Sequence, residues 1–260
     1  MGQRPKLRAV TKDKPLYPTN ALPEAALKTI AKQTFAYRTI CAAASSTKDL
    51  SGSQWEQIFA KSVNAVRQSA VAAGLDDIQL PQRSMAWGAK TVKHTTNKGL
   101  YEAVREGNKK VNLISGRNSL SYSFGTTVTP QTSSPSETGT LVLAIWNERI
   151  KEVIKRYNTV RTIVLIKGQN LDELCVFEEN TCMYDADCYE WRWNAKNNLE
   201  GLKDNEIKFV WQPHGAQFTI KNVPVPSESP IIKFKKTIEL PIEDILTLVD
   251  WDEKTDFEII

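Results

Sequence analysis

The chain has 260 residues, 41% hydrophobic and 25% charged, with 12 glycines and 12 prolines, a composition that excludes fibrous and disordered classes and permits one large core or two small ones. No run approaches the ~18–20 apolar residues of a membrane span, and the opening Met1-Gly2-Gln3-Arg4-Pro5-Lys6 has no apolar leader, so a cytoplasmic protein without a membrane partner is expected. The net charge of +4 is unevenly spread: Thr237 to Ile260 holds eight acids against Lys254, leaving 33 basic and 22 acidic side chains before it, a balance that favours a polyanionic partner such as nucleic acid.

Residues 1–20 are polar and punctuated by prolines, with Arg4, Lys6, Arg8, Lys12 and Lys14 against Asp13, and read as a basic arm. From Leu22 to about Ala44, Leu22, Ala26, Ile30, Phe35 and Ile40 recur roughly at helical spacing, with Pro23 suited to the first turn. Ser53 with Glu56 three residues on predicts a second, capped helix. Its apolar face is Trp55, Phe59, Val63, Val66 and Ala70, and Gly74 stops it. Asp76 to Leu80 alternates as a strand does, and after an Arg83-Ser84 turn Met85 to Lys93 is its hairpin partner. A third helix is predicted over Lys98 to Glu106, and a strand over Val111 to Ile114.

Residues 120–138 are rich in Ser, Thr and Pro and predict a long loop, a feature that often carries function. Thr140 to Trp146 suits a buried strand or the first turns of a longer helix. Asn147 to Tyr157 is helical, and Arg161 to Lys167 is the clearest buried strand. These segments predict an α/β crossover onto an existing sheet. After Gly168, strands are expected at Cys175–Phe177, Tyr189–Trp193, Lys208–Trp211 and Gln217–Lys221, with a short helix over Pro241 to Val249. The expected fold is α/β with mixed α+β content, a central mixed β-sheet flanked by helices and followed by a β-rich C-terminal region. The expected division is a basic arm (1–20), an α/β core (21–168) and a β-rich region with an acidic tail (169–260), or one compact domain overall.

Several chemistries are excluded at once. No GxxxxGKS/T or GxGxxG phosphate loop and no GxSxG elbow occurs, and His94 and His214, the only histidines, are too far apart for HExxH. Cys41, Cys175, Cys182 and Cys188 form no CxxC pair, so reduced thiols are expected. A zinc site built on the three clustered cysteines would have only those two histidines to complete it.

What remains is the hairpin around Lys90. Phosphodiester hydrolysis places carboxylates at the ends of adjacent strands to hold Mg²⁺, with a lysine nearby to orient the attacking water and stabilise developing charge. Asp77 lies thirteen residues before Lys90 in such an arrangement. The alternative is a turn aspartate and a strand-end lysine reaching for solvent. By this order of elements, from about Gly52 to Gly168, the chain resembles the PD-(D/E)xK nuclease superfamily, in particular the type II restriction endonucleases. There an Asp starts one strand, a (D/E)xK tripeptide ends the next, and a helix and a further strand come after. The resemblance implies that Asp77 ligates Mg²⁺ and that Lys90 assists the nucleophilic water. The tripeptide here reads Gly88-Ala89-Lys90, without the acid. Some members of the superfamily recruit a carboxylate from the following helix, which would be Glu102 or Glu148.

A second region carries the residue types that pair with base edges, Arg with guanine and Asn or Gln with adenine. Arg192, Asn194, Asn197, Asn198, Gln212, His214 and Gln217 cluster among Trp191, Trp193 and Trp211, and Arg117 and Asn118 could supply a second reading or phosphate-binding element. The alternative is a sheet edge with tryptophan packing and Asn-rich turns. The leading expectation is therefore a Mg²⁺-dependent, sequence-specific double-stranded DNA endonuclease of the restriction type. A homodimer on palindromic DNA and a functional pairing with a methyltransferase go with that expectation. A non-catalytic DNA-binding protein is the alternative that Gly88 favours, and a protein-interaction module is a third.

Overall fold

Ser51, not Ser53, starts the second helix, and the two-residue difference changes the part that Glu56 can play. In a computed structural model describing residues 22–44, 49–68, 75, 77–235 and 240–248, the Ser51 hydroxyl accepts from Gln54 N (3.3 Å), and Gln54 Oε1 accepts from Ser51 N (2.7 Å). This reciprocal cap leaves Glu56 without capping duty. The basic arm, Gly74 and most of the acidic tail lie outside the described residues.

Helix α1 (Glu24–Ala44) buries Ala26, Ile30, Thr34 and Arg38, one residue every fourth position, whereas Ile40 is exposed. The buried stripe departs from the predicted one because Thr34 and Arg38 are polar, and Arg38 is buried through an ion pair with Asp172. Helix α2 (Gly52–Ser62) buries Trp55, Ile58, Phe59 and Ala60 and ends at Val63, so Val66 belongs instead to strand β1 (Val66–Arg67) and is exposed. Strand β2 (Ile78–Leu80) turns through Pro81–Arg83 into β3 (Met85–Lys93), with Ser84 left-handed at φ 50°. Next come α3 (Leu100–Arg105) and β4 (Lys110–Arg117).

The expected long loop contains α4 (Leu120–Phe124) and the start of α5 (Pro135–Ile154). Part of its Ser- and Pro-rich character is capping chemistry: Ser119 and Ser134 cap the two helices, Pro135 occupies a first turn, and Gly125 closes α4. Thr140 to Trp146 is therefore helical. Strands β5 (Thr159–Lys167), β6 (Glu173–Asn180), β7 (Glu190–Trp193), β8 (Leu199–Lys203), β9 (Glu206–Gln212), β10 (Gln217–Pro224) and β11 (Ile231–Lys233) come next, then α6 (Ile242–Leu248).

The strands form two sheets: a mixed one ordered β1-β2-β3-β5-β6-β11 and an antiparallel one ordered β4-β10-β9-β8-β7. In the mixed sheet β3 and β5 are parallel, Lys90 opposite Val164, and the connection between them contains α5. Chain order does not divide the sheets. Strand β4 pairs with β10 in the second sheet, and β6, expected in the C-terminal antiparallel region, pairs with β5 in the first.

One face of the mixed sheet is covered by α1 and α2, where Phe59 meets Trp55 in a tilted contact and Trp87 edge-on, at 5.5 and 5.4 Å between centroids. Behind them Glu178, 1% exposed, accepts from Trp87 Nε1 at 2.7 Å. The other face meets α5, whose Val142, Trp146, Ile150 and Val153 pack between Ala86 and Val160 of the first sheet and Phe209, Trp211 and Phe218 of the second. Helix α5 passes so close to the second sheet that a Cβ at Gly139 would sit 2.2 Å from the Trp191 ring. Among the described residues no helix is long and apolar enough to cross a membrane.

Candidate functional site

Asp77 stands immediately before β2. The pairing of Ile78 with Trp87 continues to set it beside Gly88, and its Oδ2 accepts from Ala89 N at 3.0 Å. Alternation along β3 turns Trp87 and Ala89 toward α1 and α2, and Gly88 and Lys90 toward α5. The sequence pattern thus fixes both the register and the face of the hairpin, and the sheet holds Asp77 and Lys90 as neighbours.

Burial pulls the Lys90 ammonium below its ordinary value, the largest influence on it; the charges of Asp77 and Glu56 oppose that fall, and Arg149 reinforces it. The charges that act on Lys90 thus come from three other elements: Glu56 on α2, Asp77 at the head of β2 and Arg149 on α5. Glu56 Oε2 is paired with Arg67 Nε at 2.9 Å, and Arg67 Nη2 donates to Ser53 Oγ at 2.7 Å. Arg149 Nη2 donates to the carbonyl of Arg117, and its Nη1 is buried without a hydrogen-bond partner among the described residues. Burial also draws the guanidinium below its ordinary value.

Neither acid expected to replace the one missing at Gly88 is among the charges that act on Lys90. Glu102 is exposed on α3, which packs on β6, two strands beyond β3. Glu148 is exposed and pairs with Lys151 at 3.3 Å. It lines a groove of about 640 Å³ with Arg117, Tyr122, Phe124 and Arg149. Besides Asp77, the acid whose charge acts on Lys90 is Glu56, which the sequence offered only as a capping partner. The shorter cap and Arg67, a basic residue in the strand after the helix, were the signals for it.

Among the described residues no group of three or more His, Cys, Asp and Glu side chains could hold a metal ion. A pair of carboxylates does suit Mg²⁺, which keeps most of its waters and takes one or two such ligands. It does not suit zinc, which takes three or four protein ligands. Cys175 is buried and Cys188 exposed, and burial raises the Cys175 thiol to about 12.

The candidate base-reading residues separate into two groups. Asn118 is fully buried: its Nδ2 donates to Val142 O (2.9 Å), its carbonyl accepts from Trp211 Nε1 (3.0 Å), and its N–H donates to Ala216 O (2.7 Å). It clamps β4 to α5 and β9, which corrects its assignment as a reading residue. Asn194 is spent on a turn, its Oδ1 accepting from Lys196 N (2.9 Å) and Asn198 N (3.1 Å) and its Nδ2 donating to Glu200. Asn197 takes a left-handed φ of 58° in that turn. Arg192 is exposed and pairs with Glu200 at 3.0 Å, and His214 is exposed in the β9–β10 turn.

Arg117, Gln217 and Gln212 stand in one cross-strand row, Gln217 opposite both Arg117 and Gln212. The alternation that turns Trp211 and Phe218 inward onto α5 turns both glutamines outward. The sequence contained these residues but not their alignment, which depends on the register of three strands. Against protein-family models, curated proteins and solved structures, the chain has no match.

Proposed function

We propose that the protein is a Mg²⁺-dependent, sequence-specific double-stranded DNA endonuclease of the type II restriction class, related to the PD-(D/E)xK superfamily. The observation that carries this reading is the hairpin that sets Asp77, whose Oδ2 accepts from Ala89 N at 3.0 Å, beside the half-buried Lys90 of the neighbouring strand, with Glu56 among the charges that act on that lysine. The hairpin, the connection through α5 and the parallel strand β5 keep the order of elements described for that superfamily. The cross-strand row of Arg117, Gln217 and Gln212 supports base reading in a groove. A homodimer on a palindromic site and a partner methyltransferase belong to the same proposal.

In this reading Asp77 and Glu56 would hold a magnesium ion, which when bound would supply a water of lowered pKa and screen the phosphate charge. Asp77 is kept in place by Ala89 N–H. Lys90 donates a hydrogen bond to the attacking water and offsets negative charge as that water adds to phosphorus and the bond to the departing sugar oxygen breaks. Its burial disfavours the charged form, so the carboxylates beside it keep the ammonium in use.

One observation favours the alternative, DNA binding without cleavage: Glu56 is already paired with Arg67. Both readings meet the same test. A large DNA of known sequence is incubated with wild type in Mg²⁺, with wild type in EDTA, and with Lys90→Met in Mg²⁺. Discrete fragments in the first lane alone support the endonuclease. Intact DNA throughout, with a mobility shift at low salt, moves the conclusion to the binding protein.

A further inference from the structure

The two parallel strands, β3 and β5, end side by side at Lys93 and Lys167. Past those ends the chain parts into two turns, residues 94–99 and 168–172, which line a pocket of about 830 Å³. The crevice beyond the carboxyl ends of parallel strands is where open α/β sheets bind ligands. None of Asp77, Glu56 and Lys90 lines this pocket, and Lys93, three residues past Lys90 on the same strand, points to the other face of the sheet.

Both turns are fixed from within. His94 N–H donates to Lys167 O (2.8 Å), and the ring meets Lys109 Nζ through Nδ1 (3.0 Å), which leaves the proton on Nε2 for Lys98 O (2.6 Å). Gly168 N–H donates to Glu173 O (2.7 Å), so close that a Cβ at Gly168 would lie 2.9 Å from that oxygen. A pocket held in this way needs no reordering to take a ligand.

Its charges are unequal. Lys93, Lys98, Lys167 and Lys233 line it against Asp49, Asp172 and Glu173, and each acid is already engaged. Asp172 is held by Arg38, 4% exposed behind it, and Glu173 accepts from Lys233 (3.1 Å) and Tyr101 N (3.2 Å). Asp49 alone serves two ammoniums, Lys167 at 2.7 Å and Lys93 at 2.9 Å. With Arg38, Lys109 and the Glu106 partner of Lys98 included, six cations meet four acids, an excess of two positive charges. Lys167 is buried, whereas Lys93 stays 65% exposed and so can turn an ammonium to a ligand. Thr95, Asn97, Gln169 and Asn170, exposed on the two turns, add hydroxyl and amide groups.

We propose that this pocket binds a phosphomonoester of a small polar molecule, its phosphate at Lys93 where that residue and Lys167 share Asp49, and its polar body against the hydroxyls and amides of the two turns. A phosphomonoester carries close to the two negative charges that the excess calls for, and lysine takes phosphate as a point charge.

The test is calorimetric titration of the full chain at low salt with inorganic phosphate, a nucleoside monophosphate, a hexose phosphate, the unphosphorylated nucleoside and hexose, and succinate. Wild type is compared with Lys93→Met, Asp49→Asn and, on β9 away from the pocket, Lys208→Met, and the melting temperature of each is recorded. The expected result is that one ester binds more tightly than inorganic phosphate and its unphosphorylated counterpart does not bind; the tighter ester identifies the polar body. K93M should weaken binding by about tenfold or more, and K208M should leave it within about twofold of wild type. D49N removes a carboxylate that competes with the phosphate and should tighten binding, a change that misfolding cannot produce. Absence of ester binding at millimolar concentration, tighter binding of succinate than of either ester, or a normally melting K93M that binds as wild type does overturns the proposal. Weakened binding in both K93M and D49N with lowered melting temperatures assigns Asp49 and Lys93 to holding the sheet edge, and overturns it as well. Displacement of the ester by duplex DNA gives these lysines to a nucleic-acid surface instead, with the same consequence.

Discussion

The charged cluster around Lys90 gathers side chains from positions 56 to 149 on a turn, a strand and two helices, whereas the row of Arg117, Gln217 and Gln212 is written across three neighbouring strands. The cluster depends on how the layers pack, because Glu56 on α2 and Arg149 on α5 act on Lys90 from helices that cover opposite faces of the mixed sheet. The row needs only correct register and the alternation of a sheet. A cluster of the first kind is sensitive to any change in layer packing, and a row of the second kind is sensitive to slippage of a single strand.

The largest effect expected along this contrast is on cleavage. Lys90→Met and Glu56→Gln should each slow Mg²⁺-dependent cleavage by about 10²–10⁴-fold, while Glu102→Gln and Glu148→Gln leave it unchanged within a few fold. A Glu148→Gln variant as slow as Glu56→Gln, measured in the same single-turnover assay, would undo the assignment of the carboxylates. Next in size is the clamp between the two regions: Asn118→Ala should destabilise by about 1–3 kcal/mol in urea denaturation without relaxing site preference, because it leaves Val142 O and a buried pocket unsatisfied.

On the reading side, Gln212→Ala and Gln217→Ala should each cost about 1–3 kcal/mol of discrimination at one base pair, scored by selection from a randomised site, with unchanged cleavage of the sites still bound. Uniform weakening on all sequences would make the row a backbone contact. The smallest effect concerns Glu178, whose carboxyl burial holds above its ordinary value in spite of Trp87 and Arg161. A raised folded pKa gives stability that is full below the unfolded value of 4.5 and is lost as pH rises through the folded value. Glu178→Gln should therefore melt higher than wild type at pH 7, with the gain shrinking toward pH 4; a gain that grows on acidification contradicts burial as the governing influence.

The hairpin, the long crossover connection and the strand around Lys167 were legible because Gly, Pro and alternation mark them locally, and Asp77 and Lys90 were legible with them. Lys167, at the end of that strand, is buried and donates to Asp49 (2.7 Å) and Leu50 O (2.6 Å). Glu56 was hidden because capping is a local signal and the real cap lay two residues earlier, at Ser51. Asn118 was misread because an amide that clamps a backbone and one that reads a base have the same sequence signature. Strand β8 escaped because Gly201 breaks its pattern, and that glycine is there to let the Trp191 ring lie against it at 2.8 Å from a would-be Cβ.

The interleaving of the sheets has a consequence for how the chain gains and loses order. A backbone break at Gly168 would separate β4 from its partner β10 and β6 from its partner β5, so neither fragment would retain a whole sheet. The β4–β10 pairing joins strands far apart in sequence and is of the kind that forms slowly, whereas β5 and β6 are consecutive strands. Among the described residues the two sheets are thus tied by chain connectivity, since the segment from β3 to β5 leaves the first sheet to supply β4 to the second and then returns.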